Sequence, residues 1–182
     1  MKINTTIREK YHKGFDREGE PITELVYHGT GGGVTASGLI IWMFNDGRPA
    51  DYKKGVALFH YLIDLNGEVT EIISPENWVF HSSSGLHDSS TIGIEMINGN
   101  AHNENEYTAN QYSALMKLTS TLMKKYPITS IVGHGQNKLK FSGMYKECPG
   151  IKFRWDIIEN DLLANGYTFT KSKERISNIK VK

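Results

Sequence analysis

Short stretches of alternating apolar and polar residues along the chain predict β-strands with one buried face. The stretch 91–97 is the clearest, because apolar side chains occupy every second position within it. Two further stretches flank Asn66-Gly67, the dipeptide most typical of a tight hairpin turn. The predicted strands are 22–27, 56–64, 68–73, 91–97 and 130–132.

Helical signals lie between these strands. Apolar residues within 109–125 recur at helical spacing, so this helix is expected to bury one stripe against a core. Thr108 and Gln111 form the pattern of a capping box at its start, and Pro127 ends it. Further helices are predicted at 37–45 and 155–164. Mixed strands and helices indicate an α/β (α+β) fold.

At 182 residues the chain is long enough to bury one hydrophobic core and predicts a single domain. The polar, charged segment 1–21 is interpreted as an N-terminal arm. The domain itself is predicted at 22–168. The last segment, 169–182, has five basic residues and one acidic residue, and it is interpreted as a mobile basic tail.

The overall charge is close to neutral, so it favours neither nucleic acid nor other acidic partners. A net charge of +1, from 21 basic and 20 acidic residues, provides no field that would attract nucleic acid. The single cysteine excludes an internal disulfide. The N-terminus lacks the apolar stretch of a signal peptide, and no later stretch predicts a membrane anchor. We therefore expect a protein made in the cytoplasm, which would need a separate release route to reach an external substrate. A monomer is also expected.

That single cysteine, Cys148, combines with two histidines to predict a zinc site. His28 and His134 each follow a short apolar stretch and precede a glycine, a position where rigid strands give way to open loops. Two imidazoles and one thiolate are a three-ligand set for zinc. Such a set leaves one coordination position open, as catalytic zinc sites do and structural sites do not.

Two more residues supply the groups that hydrolysis would need. Lys146 should point to the same side as Cys148, because residues two apart in an extended segment share a face. Glu95 shares a strand face with Gly93, which leaves room for a substrate beside the carboxylate. Glu95 and Lys146 are therefore the predicted catalytic residues of a metal-assisted hydrolase.

Two residues are predicted to bind substrate. His81 and Ser82 begin a hydroxyl-rich stretch that is typical of loops lining a sugar- or peptide-binding groove. His60 and His81 both compete for the metal, but His60 shares a strand face with Leu58 and Leu62. A core histidine is the better interpretation of His60.

With these residues in place, the chain resembles the zinc-dependent N-acetylmuramoyl-L-alanine amidases. That family includes the phage lysozyme-type amidases and is related to the peptidoglycan recognition proteins. The resemblance covers about 22–167, and the motifs occur in the family's order. The matching segments are His28, 60–67, His81, 92–95, Gly133-His134 and 146–150.

The resemblance implies a central mixed sheet with helices packed around it, and Zn²⁺ bound by His28, His134 and Cys148. It also implies peptidoglycan as substrate, cut at the amide between the lactyl group of N-acetylmuramic acid and L-alanine. Phage lysozyme-type members carry a catalytic tyrosine where this chain has Phe59. A phenyl ring cannot exchange a proton, so the catalytic role is expected to fall on Glu95.

The predicted biological role is that of a phage or prophage endolysin. Three alternatives remain open. The first is a cytoplasmic amidase that recycles anhydro-muropeptides, and the second is a non-catalytic peptidoglycan-binding receptor of the same fold. The third is a cysteine hydrolase in which Cys148 is the nucleophile and His134 or His81 the base.

Overall fold

A mixed β-sheet runs through the protein, and helices pack against it. The computed structural model describes residues 2–5, 14–33, 35–44, 58–99 and 102–182. The strands in these ranges are β1 (Ile3–Asn4), β2 (Phe15–Asp16), β3 (Glu24–Gly29), β4 (Tyr61–Ile63), β5 (Val69–Glu71), β6 (Asn77–Trp78), β7 (Thr91–Met96), β8 (Ser130–Gly133), β9 (Tyr167–Ser172) and β10 (Arg175–Val181). The helices are α1 (Ala36–Phe44), α2 (Gly85–Asp88), α3 (Ala109–Lys125), α4 (His134–Ser142) and α5 (Trp155–Ala164).

The main sheet has eight strands in the order β1-β5-β4-β7-β3-β8-β10-β9, and β2 pairs separately with β6. Its centre is parallel, because β4, β7, β3 and β8 are neighbours that run in the same direction. Every residue of β3 and β7 is buried, as is typical of central strands in a parallel sheet. The predicted α/β class with a central mixed sheet and surrounding helices is confirmed.

The register of the central strands determines where the candidate site forms. His28 on β3 is the Cα partner of Glu95 on β7. Tyr27 is likewise the partner of Gly133, the last residue of β8. Since these strands are parallel, their carboxyl ends meet at one edge, where His28, Glu95 and His134 come together.

Hydrophobic clusters cover both faces of the sheet. On one face, Tyr27 and Ile94 pack with Leu115 of α3 and Ile158 of α5 in the larger cluster. A smaller cluster lies beneath α1. Helix α3 has the predicted bounds, and its capping box is complete: Gln111 N donates to Thr108 Oγ1 and Thr108 N donates to Gln111 Oε1.

The prediction of a mobile basic tail at 169–182 is wrong. These residues complete β9 and form β10, which pairs with β8 in the main sheet. Ile176 and Ile179 are buried in the larger cluster. The strand has a register shift between Ser177 and Lys180, so Ile176 and Ile179 are three positions apart and not two. The sequence therefore lacks the alternation expected of a strand, and its most visible feature is the basic residues.

The prediction of a separate arm at 1–21 is also wrong for the residues that the structure describes. Strand β1 pairs with β5 in the main sheet, and β2 pairs with β6. Arg17 is buried and donates to the carbonyl oxygens of Pro75 and Thr91 at 2.7 and 2.8 Å. Its guanidinium also donates to the carbonyl oxygens of Asp88 and Ser89. This part of the chain therefore belongs to the domain.

Other differences from the sequence predictions are small. Helix α4 was not predicted, and strand 56–64 is reduced to β4, with residues 56 and 57 outside the described ranges. The end of helix 37–45 and its predicted stop at Asp46-Gly47 and Pro49 also lie outside them. Within the part of the chain described, no helix has the length and apolar character to cross a bilayer.

Candidate metal centre

Three side chains from three different segments meet at the carboxyl edge of the central strands. His28 lies near the end of β3, His134 is the first residue of α4, and Cys148 lies in the loop after α4. Their ligand atoms all lie within 4.8 Å of one another. The structure therefore brings together the three residues that the sequence predicted as metal ligands.

The local sequence around His134 explains how this approach is possible. Residues 144–148, which follow α4 and include Lys146 and Cys148, are called the ligand loop. Gly135 N donates to the carbonyl oxygen of Cys148 at 2.8 Å, and this bond joins the first turn of α4 to the ligand loop. A side chain at Gly135 would collide with the carbonyl oxygen of Lys146. Glycine is therefore required at this position by close approach of the backbone.

Burial controls the protonation of these ligands in the metal-free protein. Burial, with a smaller contribution from Lys146, lowers the pKa of His134 to about 4. Burial and then the nearby His134 hold the pKa of His28 well below its usual range. Burial and then Glu95 raise the pKa of Cys148 to about 12. The two imidazoles are therefore neutral at pH 7, while the thiol keeps its proton.

This donor set fits zinc. Tetrahedral zinc ligands stand about 3.5 Å apart, so the three side chains need only a small inward movement. Neutral imidazole nitrogens are immediately able to coordinate, and a cation would replace the thiol proton and release it to solvent. A site of three protein ligands would also leave one coordination position open, as catalytic zinc sites do.

A hydrogen-bonded chain runs behind His28. His28 Nε2 lies 3.2 Å from His81 Nδ1, and His81 Nε2 lies 2.9 Å from Thr91 Oγ1. The Thr91 hydroxyl donates to the carbonyl oxygen of Asp88, so its own oxygen accepts from His81. His81 Nδ1 then accepts from His28 Nε2, which leaves Nδ1 of His28 free to bind a metal.

The two residues predicted to bind substrate, His81 and Ser82, are both buried. The His81 side chain is fully buried, with 0% exposure, and it faces His28. Ser82 is also fully buried, and its N–H donates to Asp88 Oδ1. The loop directs both side chains inward, and of the two only His81 is among the described residues that line the cleft.

The loop contributes instead through Ser83, which the sequence analysis did not single out. Ser83 is exposed beside the cleft, and its Oγ lies 3.0 Å from Nε2 of His134. Its backbone has a positive φ of 74°. The hydroxyl-rich composition of the loop indicated that a serine could line the cleft. Only the backbone turn at Ser83 determined which of the serines lies beside His134.

The predicted catalytic residues both line the cleft at the metal ligands. Glu95 is 9% exposed, and burial raises its pKa to about 8. Lys146 also lines the cleft and is exposed to solvent. The cleft has a volume of about 440 Å³, and its apolar wall includes Trp42, Phe59 and Phe80.

His60 is the core histidine that the sequence predicted. It is fully buried, its Nδ1 accepts from Gly93 N at 3.0 Å, and its Nε2 donates to the carbonyl oxygen of Asn77. Burial and the adjacent Arg17 lower its pKa to about 3, so the ring stays neutral. Phe59 beside it is 3% exposed and offers no proton to the cleft.

Comparison with known proteins identifies the family. Residues 18–151 match the model of the family described as N-acetylmuramoyl-L-alanine amidase. The curated relative 1,6-anhydro-N-acetylmuramyl-L-alanine amidase AmpD of Haemophilus influenzae is 33% identical over 106 residues. That match covers 53% of this chain and 54% of the relative, so the chain spans about half the length of the curated relative it matches.

Solved structures show the same fold. The N-acetylmuramoyl-L-alanine amidase LysC from Clostridium intestinale superposes with a TM-score of 0.69 at 22% identity, covering 90% of this chain and 98% of LysC. The Ph2119 endolysin from a Thermus scotoductus bacteriophage gives a TM-score of 0.63 at 20% identity, covering 88% of this chain and 98% of the endolysin. Insect peptidoglycan recognition proteins share this fold as well. Because the family model matches well over half of its length, the chain belongs to the N-acetylmuramoyl-L-alanine amidase family.

Proposed function

We propose that this protein is a zinc-dependent hydrolase that cuts the amide between N-acetylmuramic acid and L-alanine in peptidoglycan. One observation carries the proposal: the ligand atoms of His28, His134 and Cys148 lie within 4.8 Å of one another in a cleft that also contains Glu95 and Lys146. Membership of the amidase family supports the choice of bond and of peptidoglycan as the ligand.

His28, His134 and Cys148 would hold the zinc, which when bound supplies Lewis-acid polarisation of oxygen atoms in the cleft. Glu95 takes a proton from the attacking water and later gives it to the nitrogen of L-alanine as the amide bond breaks. Lys146 places its ammonium where negative charge develops on the carbonyl oxygen. Water is thereby added across the C–N bond, leaving a lactyl carboxylate and a free amino terminus.

The pKa of Glu95 suits this role. Its pKa of about 8 in the metal-free protein lies near neutral pH, where a carboxyl group exchanges protons most effectively. His81 has a different role, because its ring contacts His28 and its side chain is not exposed to solvent. We assign His81 to the orientation of the His28 ring, as outer partners of zinc-bound histidines commonly do.

The test is digestion of purified sacculi by zinc-loaded protein, with and without a chelator, followed by mass spectrometry. Free L-alanine amino termini and glycan strands without peptide, lost on chelation and restored by zinc, are the expected result. Cys148→Ser should lose both zinc and activity while keeping its circular dichroism spectrum. Binding to sacculi without cleavage by the zinc-loaded protein would contradict the proposal and favour a receptor.

A cysteine hydrolase is a poorer fit to this site. Cys148 is 1% exposed, and its pKa of about 12 leaves almost no thiolate at neutral pH. A nucleophilic cysteine needs the opposite, a lowered pKa and access to substrate. Activity that survives complete removal of zinc would reverse this judgement.

We propose an endolysin role, in which the protein acts on the cell wall after release from the cytoplasm. Recycling of anhydro-muropeptides is the second candidate, because the AmpD relative is named for a 1,6-anhydro substrate. Parallel digestion of intact sacculi and of purified anhydro-muropeptides separates the two roles. Cleavage of sacculi supports the endolysin, and cleavage of the small fragments alone supports recycling.

A further inference from the structure

The terminal hairpin, formed by β9 and β10, lies beside the metal ligands although it falls outside the family match at 18–151. We propose that this hairpin positions the segments that carry His134, Lys146 and Cys148. Glu174, in the turn of the hairpin, is the positioning residue, and it acts through Tyr145. This inference rests on the proposed zinc site and adds to it a part of the chain that the ligand motifs do not include.

The first set of contacts holds the start of α4. Gly133, which directly precedes His134, donates its N–H to the carbonyl oxygen of Glu174 at 2.9 Å. The next residue, Arg175, donates to Asn137 Oδ1 at 2.8 Å and to Glu24 Oε2 at 2.8 Å. Asn137 is fully buried in the first half of α4. The hairpin turn therefore holds His134 from both the strand and the helix side.

The second set of contacts holds the ligand loop. Tyr145 donates its hydroxyl to Glu174 Oε1 at 2.7 Å, and Lys173 Nζ lies 4.5 Å from the centre of the Tyr145 ring. Residues 144–148 form no helix or strand, so regular backbone pairing does not hold Lys146 and Cys148 in place. The other Glu174 oxygen, Oε2, is buried without a hydrogen-bond partner among the described residues, so the carboxylate depends on the bond that Tyr145 donates to Oε1.

If these contacts position the ligand loop, their loss should weaken zinc binding and not merely lower the stability of the fold. Removing the bond between Tyr145 and Glu174 should loosen the loop that carries Cys148 and weaken zinc binding in the full-length protein. Direct outer partners of metal ligands contribute about 10- to 100-fold in metal affinity. Because Glu174 acts through Tyr145, we expect Glu174→Ala and Tyr145→Phe each to weaken zinc affinity by about tenfold, the lower end of that range.

The experiment measures zinc affinity by competition with a chromophoric chelator. Glu174→Gln should retain near-normal affinity, since its amide oxygen can still accept from Tyr145. Lys171→Gln is the matched control, because Lys171 lies on the same hairpin but its 2.6 Å ion pair is with Glu159 of α5. Thermal unfolding of the metal-free variants separates loss of affinity from loss of stability. Should Glu174→Ala fail to fold, Tyr145→Phe carries the test.

Changed visible spectra of the Co²⁺-substituted Glu174→Ala and Tyr145→Phe variants would support altered ligand geometry. Wild-type zinc affinity in both variants would overturn the hairpin's role, as would an equal loss of affinity in Lys171→Gln. Absence of zinc binding by the wild-type protein would overturn the proposed function and this inference together. Failure of the hairpin's role is therefore distinguishable from failure of the proposed zinc site.

Discussion

His81 Nδ1 lies 3.2 Å from Nε2 of His28, so one buried histidine holds another that belongs to the candidate metal cluster. The Thr91 hydroxyl, 2.9 Å from His81 Nε2, completes the orientation from the opposite side. All members of this hydrogen-bonded chain lie on or beside β3 and β7, two strands of the sheet in which every residue is buried. The histidine ring is therefore oriented by rigid structure.

His81→Ala should lower zinc affinity by about 10- to 100-fold, because the His28 ring loses the acceptor that fixes its orientation. Titration against a competing chelator measures the effect. Thr91→Ser is the control, since it keeps the hydroxyl and should change affinity little. Unchanged zinc binding in His81→Ala would show that His81 only fills space.

Glu95→Gln should keep zinc but lower turnover by about 10²- to 10⁴-fold, because the amide cannot take up and return a proton. Zinc content and the rate of release of L-alanine amino termini are measured on the same preparation. Full activity in this variant would remove Glu95 from the mechanism. A loss of zinc as well would mean that the carboxylate supports the ligands themselves.

Gly135→Ala should disrupt the ligand loop, because the added methyl group would collide with the backbone carbonyl of Lys146. That neighbour is backbone and cannot rotate away, so the loop must shift and carry Lys146 and Cys148 with it. Zinc affinity and thermal unfolding both report the shift. Gly85→Ala is the matched control, since its methyl group would meet Phe80 Cε1 at an ordinary 3.5 Å.

Glu24 should make stability depend on pH in the acid range. Its carboxylate accepts from Asn137 and Arg175 and contacts His87, and these partners lower its pKa to about 2 despite burial. The folded protein thus holds the charged form more strongly than the unfolded chain, whose pKa is near 4.5. This contribution, about 3 kcal/mol, is complete above pH 4.5 and is lost as the pH falls toward 2.

Glu24→Gln should therefore destabilise the protein at pH 7 by up to about 3 kcal/mol. The variant should also flatten the fall in stability between pH 4.5 and 2. Urea unfolding at several pH values measures both effects. Glu76→Gln, which removes an exposed ion pair with Lys125, is the control and should change stability by less than about 1 kcal/mol. A parallel pH dependence in Glu24→Gln and the wild type would contradict the assignment.

Local patterns were sufficient for much of the fold. Helix α3 has its predicted bounds because the capping box and Pro127 act over a few residues, and tertiary contacts do not oppose them. Strand β7 was equally predictable from the sequence, since its alternation places Ile92 and Ile94 on the core face and Glu95 on the other face. The class of fold followed from such signals alone.

Patterns failed where a distant contact determines the structure. The segment 169–182 appears mobile by charge, but Ile176 and Ile179 anchor it beside β8. Arg17 appears to belong to a polar arm, but backbone carbonyl oxygens from two other segments surround it. His81 and Ser82 were assigned to a groove by composition; both are buried, and of the two only His81 is among the described residues that line the cleft.

The sequence by itself determined the chemical types of the predicted ligands, His28, His134 and Cys148, and of the predicted catalytic carboxylate and ammonium, because the chemistry of a side chain is a local property. It also determined that Glu95 faces away from the core, since strand alternation is local too. Only the tertiary structure decided that these residues meet, that His81 lies behind His28, and that the terminal hairpin contacts the ligand loop. Strand register and burial set such contacts, and both depend on residues far apart in the chain.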